Sequence, residues 1–385
     1  MEKYAQVFIG GAGKSKQRWE NIKAIVSTEG IDHIIIGWSE CPELYSAIRE
    51  YTHKTGKKLY LWLPVFSELK SITAQSPYVL CGGSAAKSAQ FTAEESFDFC
   101  CVSNPENLEK ILSYYRLTFA RYDFDGVFLD RIRYPSFAAG LDAFIGCTCE
   151  HCRFAYEKLG FPIAELEDYL KKLKVRIADK SNPNPLGLRG YKDGAWEFED
   201  QQLKRLLLVK SSIVYNALLY LTNELKVQVS EIGLDMFAPF LSAFVGQSYE
   251  SLPNLAGFVK PMLYRFTNTP AGFRFELVKM VEAISEPDTF SMREAFIRRL
   301  LNIEGDESME KLMNSELSFI KRLGGKAVAG IELHTAQGLT PISAKQLSQN
   351  MELLRSHSFG GAAACWNILE ASEESRRIFL SNGDD

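Results

Sequence analysis

The chain has 385 residues, of which 46% are hydrophobic, and a formal net charge of −4. That length and apolar content suffice for a large core, and charges of both signs mixed along the chain exclude a basic nucleic-acid-binding face. No apolar run approaches the roughly 20 residues of a membrane helix, and no charged segment leads into an apolar one at the N-terminus, so a cytoplasmic chain with no membrane partner is expected.

The predicted elements alternate along the chain. Residues 7–9 form a short apolar run that leads into the glycine-rich 10–13. Over 17–28, Trp19, Ile22, Ile25 and Val26 recur at helical spacing. The β-branched run 31–38 reads as a buried parallel strand, 42–53 as a helix stopped by Gly56, and 59–66 as a third strand carrying Trp62. The Ser-, Ala- and Gly-rich stretch 67–103 is long for a structureless connection, which marks it as either functional or disordered. Asn104 then caps a helix reaching 122, with Pro105 at its first position. The fourth strand, 126–129, ends in Asp130. The rhythm breaks over 136–195, read as an insertion that holds a cysteine cluster and a charged helix at 163–177. A long helix over 197–225 restores the pattern. Strands follow at 231–237, 257–264, 327–333 and 361–366, with helices at 275–284, 292–301, 310–323, 342–356 and 372–380.

Eight strands that each feed a helix predict a single (β/α)8 barrel (TIM barrel) spanning 1–385, with an open doubly wound sheet as the alternative. The small residues of the last strand, GGAAACW, suit a crowded barrel closure.

In such a barrel the chemistry lies at the C-terminal ends of the strands. The polar residues placed there are Asp130, Arg131, Arg133 and Tyr134 after strand four, and Asp235 in strand five. Strand six brings Lys260 and Tyr264, strand seven Glu332 and His334, and strand eight Trp366. Carboxyl groups converging on one mouth are what glycoside hydrolysis requires, one protonated to serve the leaving oxygen and one ionised to attack or to activate water. Asp130 is the expected nucleophile or base, Glu332 the acid/base and Asp235 a third site carboxylate. Arg131, Arg133, Tyr134, Lys260, Tyr264, His334, Trp366 and Trp62 are the expected sugar-binding or carboxylate-tuning residues. A carbohydrate substrate and no organic cofactor follow. Asp125 precedes the strand and reads as a turn residue.

The segment FDGVFLDRIRYP (124–135) resembles uncharacterised glycoside-hydrolase-like barrels whose fourth strand reads FDG-x-x-x-D-Y-I-R-Y-P. The resemblance implies a site carboxylate at Asp130 and a positioning arginine at Arg133. Arg131 departs from it, standing where an aromatic is usual. Chitinase-type barrels are similar only in part, because the position of their acid glutamate is occupied here by Ile132.

Two further motifs carry other readings. GGAGKS (10–15) lacks the first glycine of a phosphate-binding loop, since Phe8 stands there. Cys147, Cys149 and Cys152 are close enough to ligate a structural zinc ion, which needs a fourth ligand from His151, Cys100 or Cys101. Reduced packing or a redox-formed bridge is the alternative.

Overall fold

The computed structural model describes residues 1–9, 16–37, 42–67, 78–80, 83–84, 98–304, 308–333 and 340–381. Eight parallel strands close into a barrel: β1 (Glu2–Phe8), β2 (His33–Gly37), β3 (Lys58–Pro64), β4 (Gly126–Asp130), β7 (Glu231–Phe237), β8 (Phe258–Met262), β9 (Val328–Glu332) and β10 (Gly361–Cys365). β1 pairs with both β2 and β10, which completes the ring. The sheet is therefore closed, and the open doubly wound alternative is excluded.

Side chains alternate across each strand, so every second residue points into the barrel. The rings of Tyr4, Tyr60, Phe128 and Phe258 fill its lower part, with Phe128 stacked on Phe258 at 5.9 Å. This layer explains two glycines. A Cβ at Gly126 would lie 2.6 Å from the Tyr60 ring, and one at Gly233 2.3 Å from the Phe258 ring. The glycine of the FDG motif is thus a packing requirement. The aspartate before it is a turn residue as expected: Asp125 accepts from the Leu59 amide at 2.8 Å and from Arg49 at 2.7 Å.

The first strand starts at Glu2 rather than at residue 7. Its polar residues hide it from an apolar-run reading, yet they are satisfied inside the fold. Lys3 donates to the Phe379 carbonyl at 2.6 Å, and Gln6 faces the barrel interior. The segment between β4 and β7 contains the helices Leu141–Ile145, Glu150–Lys158 and Ile163–Ala178, then an antiparallel hairpin of β5 (Leu188–Lys192) and β6 (Ala195–Phe198). The long helix begins after this hairpin at Gln201, not at 197, because the Asp200 side chain caps it by accepting from the Gln202 and Leu203 amides. This helix, Gln201–Leu225, is long and apolar enough by composition to cross a bilayer, contrary to the expectation that no run came close. In the fold, the face carrying Leu203, Leu206, Ile213, Leu218 and Leu221 is buried in the core.

Candidate active site

The alternation that fills the barrel bottom with rings carries polar groups to its top. Above Phe128 on β4 stands Asp130. Above Tyr60 on β3 stands Trp62, whose Nε1 donates to Asp130 Oδ2 at 3.0 Å. The Arg131 backbone N–H donates to Asp130 Oδ1 at 2.5 Å, and the Arg131 guanidinium lies 3.8 Å from Oδ2. Arg131 itself holds a left-handed backbone conformation, φ 56°. Such a conformation costs energy in a non-glycine residue and is typical of functional sites. Asp130 is therefore clamped in one orientation by donors on both oxygens.

Asp235 stands above Gly233 on β7, 3% exposed. Its Oδ2 pairs with Lys260 Nζ at 3.0 Å, and its Oδ1 has no hydrogen-bond partner among the described residues. Burial pushes the Asp235 carboxyl up to about 7, with Lys260 opposing and the Asp130 charge adding to the rise. Lys260 lies beneath the mouth rather than in it. Its ammonium also donates to Gln6 Oε1 at 3.0 Å and contacts Tyr264 Oη and Cys365 Sγ, each at 3.3 Å. Burial alone would lower its pKa, but Asp235, Cys365 and Asp130 more than reverse this, so it stays charged.

Asp130 and Asp235 line a single cleft at the C-terminal end of the strands. Of the residues expected from the sequence, Trp62, Arg131, Arg133, Tyr264 and Trp366 also line it. The Arg133 guanidinium lies 4.4 Å from the Phe237 ring centroid and donates to the Tyr134 carbonyl at 3.0 Å. Burial, reinforced by Arg131, lowers its pKa to about 10.

Other expected residues lie elsewhere. Tyr134 is fully buried, its ring 6.2 Å from that of Tyr78 and 5.0 Å from the Lys210 ammonium, so it packs the core and does not meet a ligand. Lys260 is likewise fully buried and meets the cleft through Asp235, Tyr264 and Gln6, which line it. Glu332, at the end of β9, is not among the lining residues. Its Oε1 accepts from the Phe266 amide at 2.7 Å, and burial raises its pKa to about 7. His334 and the 10–15 glycine segment lie outside the described residues.

Sequence reasoning missed Gln6, Phe237, Met262 and the loop residues Thr269, Pro270 and Ala271, all of which line the cleft. Period-two counting back from Phe8 would have found Gln6. Nothing in the sequence marked the 269–271 loop. It is held by Glu276, which is buried and accepts from the Ala271 amide at 2.9 Å.

The insertion brings a separate cluster together. The sulfur atoms of Cys101, Cys147, Cys149 and Cys152 all lie within 4.8 Å of one another. Cys101, not His151 or Cys100, is the fourth member.

No protein-family model and no curated protein matches the sequence. In three dimensions the chain is similar to the glycoside hydrolase domain of PgaB (BpsB) from Bordetella bronchiseptica, with a TM-score of 0.61 and 13% identity over 98% of each chain. It is also similar to a β-galactosidase from Rahnella sp. R3, with a TM-score of 0.51 and 9% identity, covering 99% of this chain and 55% of that one. A third similar structure is Gan42B, a GH42 β-galactosidase from G. stearothermophilus, with a TM-score of 0.50, 11% identity and coverage of 98% and 55%. The chain thus spans about half the length of the two β-galactosidases. Likeness at these identities concerns the fold, and the chain has the (β/α)8 barrel fold found in these glycoside hydrolases.

Proposed function

We propose that the chain is a glycoside hydrolase that cleaves O-glycosidic bonds in the cleft at the mouth of the barrel. The observation that carries this reading is that two carboxyl groups in different environments line one hollow. Asp130 is surrounded by donors and oriented by Trp62 and Arg131, which suits a nucleophile or a base. Asp235 is buried, its pKa raised to about 7, with one oxygen unpartnered, which suits a general acid.

In this reading the proton on the Asp235 carboxyl group passes to the leaving glycosidic oxygen. Lys260, already on Oδ2, then compensates the carboxylate charge that develops. Asp130 attacks the anomeric carbon or draws a proton from the attacking water. Trp62 and Trp366 offer ring faces for a sugar, and Arg133 and Tyr264 offer donors to its hydroxyls. The chemistry needs no organic cofactor. Screening chromogenic glycosides and natural oligosaccharides tests the proposal. Turnover that vanishes in Asp130→Asn supports it, and turnover that survives this change in folded protein refutes it.

One observation favours a second reading, a barrel that binds carbohydrate without cleaving it. Asp235 is locked to Lys260 in a buried ion pair, which would hold it ionised unless a ligand displaces the pair. Saturable binding of an oligosaccharide with no release of reducing ends would select this reading.

A further inference from the structure

The segments after β3 and after β4 meet through backbone hydrogen bonds, Val65 N–H to the Asp130 carbonyl at 2.9 Å and Thr148 N–H to the Val79 carbonyl at 2.8 Å. Where they meet, four thiols from the two segments converge. Cys101 comes from the first segment, and Cys147, Cys149 and Cys152 from the second. Cys101, Cys147 and Cys152 are buried and Cys149 is half-buried. Cys101 Sγ lies 3.3 Å from both Cys149 Sγ and Cys152 Sγ. One sulfur cannot bond covalently to two others, and a disulfide bond is only about 2.05 Å long. A tetrahedron with metal–sulfur bonds of about 2.3 Å has edges of about 3.8 Å. The observed separations, 3.3 Å to at most 4.8 Å, bracket that value.

The surroundings are those of a thiolate cluster rather than of apolar packing. The Val79 amide donates to Cys147 Sγ at 3.3 Å. Cys149 immediately precedes the helix Glu150–Lys158, and Cys152 lies in its first turn, so the positive end of the helix faces the sulfurs. The backbone around the sulfurs is itself held: Asn107 Nδ2 donates to the Cys101 carbonyl at 2.8 Å, and the Thr148 amide donates across the two segments to the Val79 carbonyl at 2.8 Å. Four converging sulfurs with no open position describe a closed structural site.

We propose that Cys101, Cys147, Cys149 and Cys152 bind one structural Zn²⁺ ion, which clasps the segment after β3 to the segment after β4. The clasp bears on the cleft. Phe99, two residues before Cys101, packs under the Arg133 guanidinium at 5.0 Å, and Arg133 lines the wall. The zinc therefore fixes one wall of the cleft without touching a ligand.

The test is metal analysis of the full chain purified without chelator, together with X-ray absorption at the zinc edge and the visible spectrum after replacement by Co²⁺. The expected results are about one zinc per chain, a shell of four sulfurs at about 2.3 Å and intense thiolate-to-cobalt bands. Cys101→Ser and Cys149→Ser should each lose the metal and lower the melting temperature. Zinc well below one equivalent in folded protein overturns the proposal, as does a disulfide among these four cysteines in a non-reduced peptide map. A nitrogen or oxygen in the shell, or full metal retention in Cys101→Ser, overturns the ligand set. If the serine variants fail to fold, the cobalt spectrum of the unaltered chain decides between four thiolates and fewer.

Discussion

The ends of β7 and β9 present nearly the same chemistry and opposite situations. Each carries a buried acidic residue, Asp235 or Glu332, whose pKa burial raises to about 7. Asp235 opens onto the cleft beside Asp130, whereas Glu332 turns to the Phe266 amide and does not line it. A raised pKa at a strand end is therefore not enough to make an acid. The group must also face the place where the leaving oxygen will sit, and a neighbouring loop amide can take it out of play.

The sharpest way to break this comparison is at the partner the acid is meant to work with. Asp130→Asn keeps the shape and an acceptor for Trp62 but loses the charge. On any glycoside that the chain turns over, kcat should fall by about 10²–10⁴-fold or more, with the circular dichroism spectrum unchanged. Steady-state kinetics of folded variant protein check this, and retained activity would remove Asp130 from the chemistry.

Asp235→Asn tests the other half of the pair. If Asp235 is the acid, kcat/KM of the unaltered chain should fall as pH rises through about 7, because the proton to be donated is lost. The variant should show a far lower rate and no descent near that pH. A substrate whose leaving group needs no protonation should recover part of the rate. A descent at the same pH in Asp235→Asn would assign the limb to another group, with Glu332 the first alternative.

Lys260 sharpens the same point through stability. Lys260→Met leaves a buried Asp235 without its cation, and breaking a buried pair in this way costs about 3–5 kcal/mol. The loss should be largest at pH 8, where the unpaired carboxyl would have to ionise, and smaller at pH 5, where it stays protonated. Adding Asp235→Asn to Lys260→Met should recover much of it. Urea titrations at the two pH values separate these outcomes, and a loss independent of pH would mean that Lys260 acts by packing alone.

Most of the fold was legible because its signals are local. Apolar runs, helix caps and the FDG turn gave the closed barrel and placed Asp130 at a strand end. The cleft was only half legible. Asp235 and Trp62 follow from period-two alternation once the strand is known, but Gln6 sits in a strand whose buried Lys3 broke the apolar pattern. The Thr269–Ala271 wall depends on a loop held by the Glu276 side chain of the helix that follows it, a contact that no apolar pattern marks. Tyr134 shows the opposite error: a motif position that looks like a binding residue is a core ring against Tyr78 and Lys210. The cysteine cluster was legible as three members, whereas Cys101 is far away in sequence and reached them only through the fold.

Glu332→Gln is the control that the comparison requires, and it has the smallest expected effect on turnover. A glutamine oxygen can still accept from the Phe266 amide, so the loop keeps its anchor. The acid it replaces has a folded pKa of about 7 against an ordinary 4.5. Between those values the folded chain binds the proton that the unfolded chain has lost, so the contribution of Glu332 to stability falls as pH rises. At about 1.4 kcal/mol per pKa unit, the shift amounts to about 3 kcal/mol by pH 8. Glu332→Gln removes that dependence, so the variant should gain on the unaltered chain as pH rises from 5 to 8, with kcat/KM little changed at either end. Denaturant midpoints across that range, read beside the kinetics, test both halves. A fall in kcat as large as that of Asp130→Asn would show that a bound sugar draws Glu332 into the cleft, and the role of acid would pass from β7 to β9.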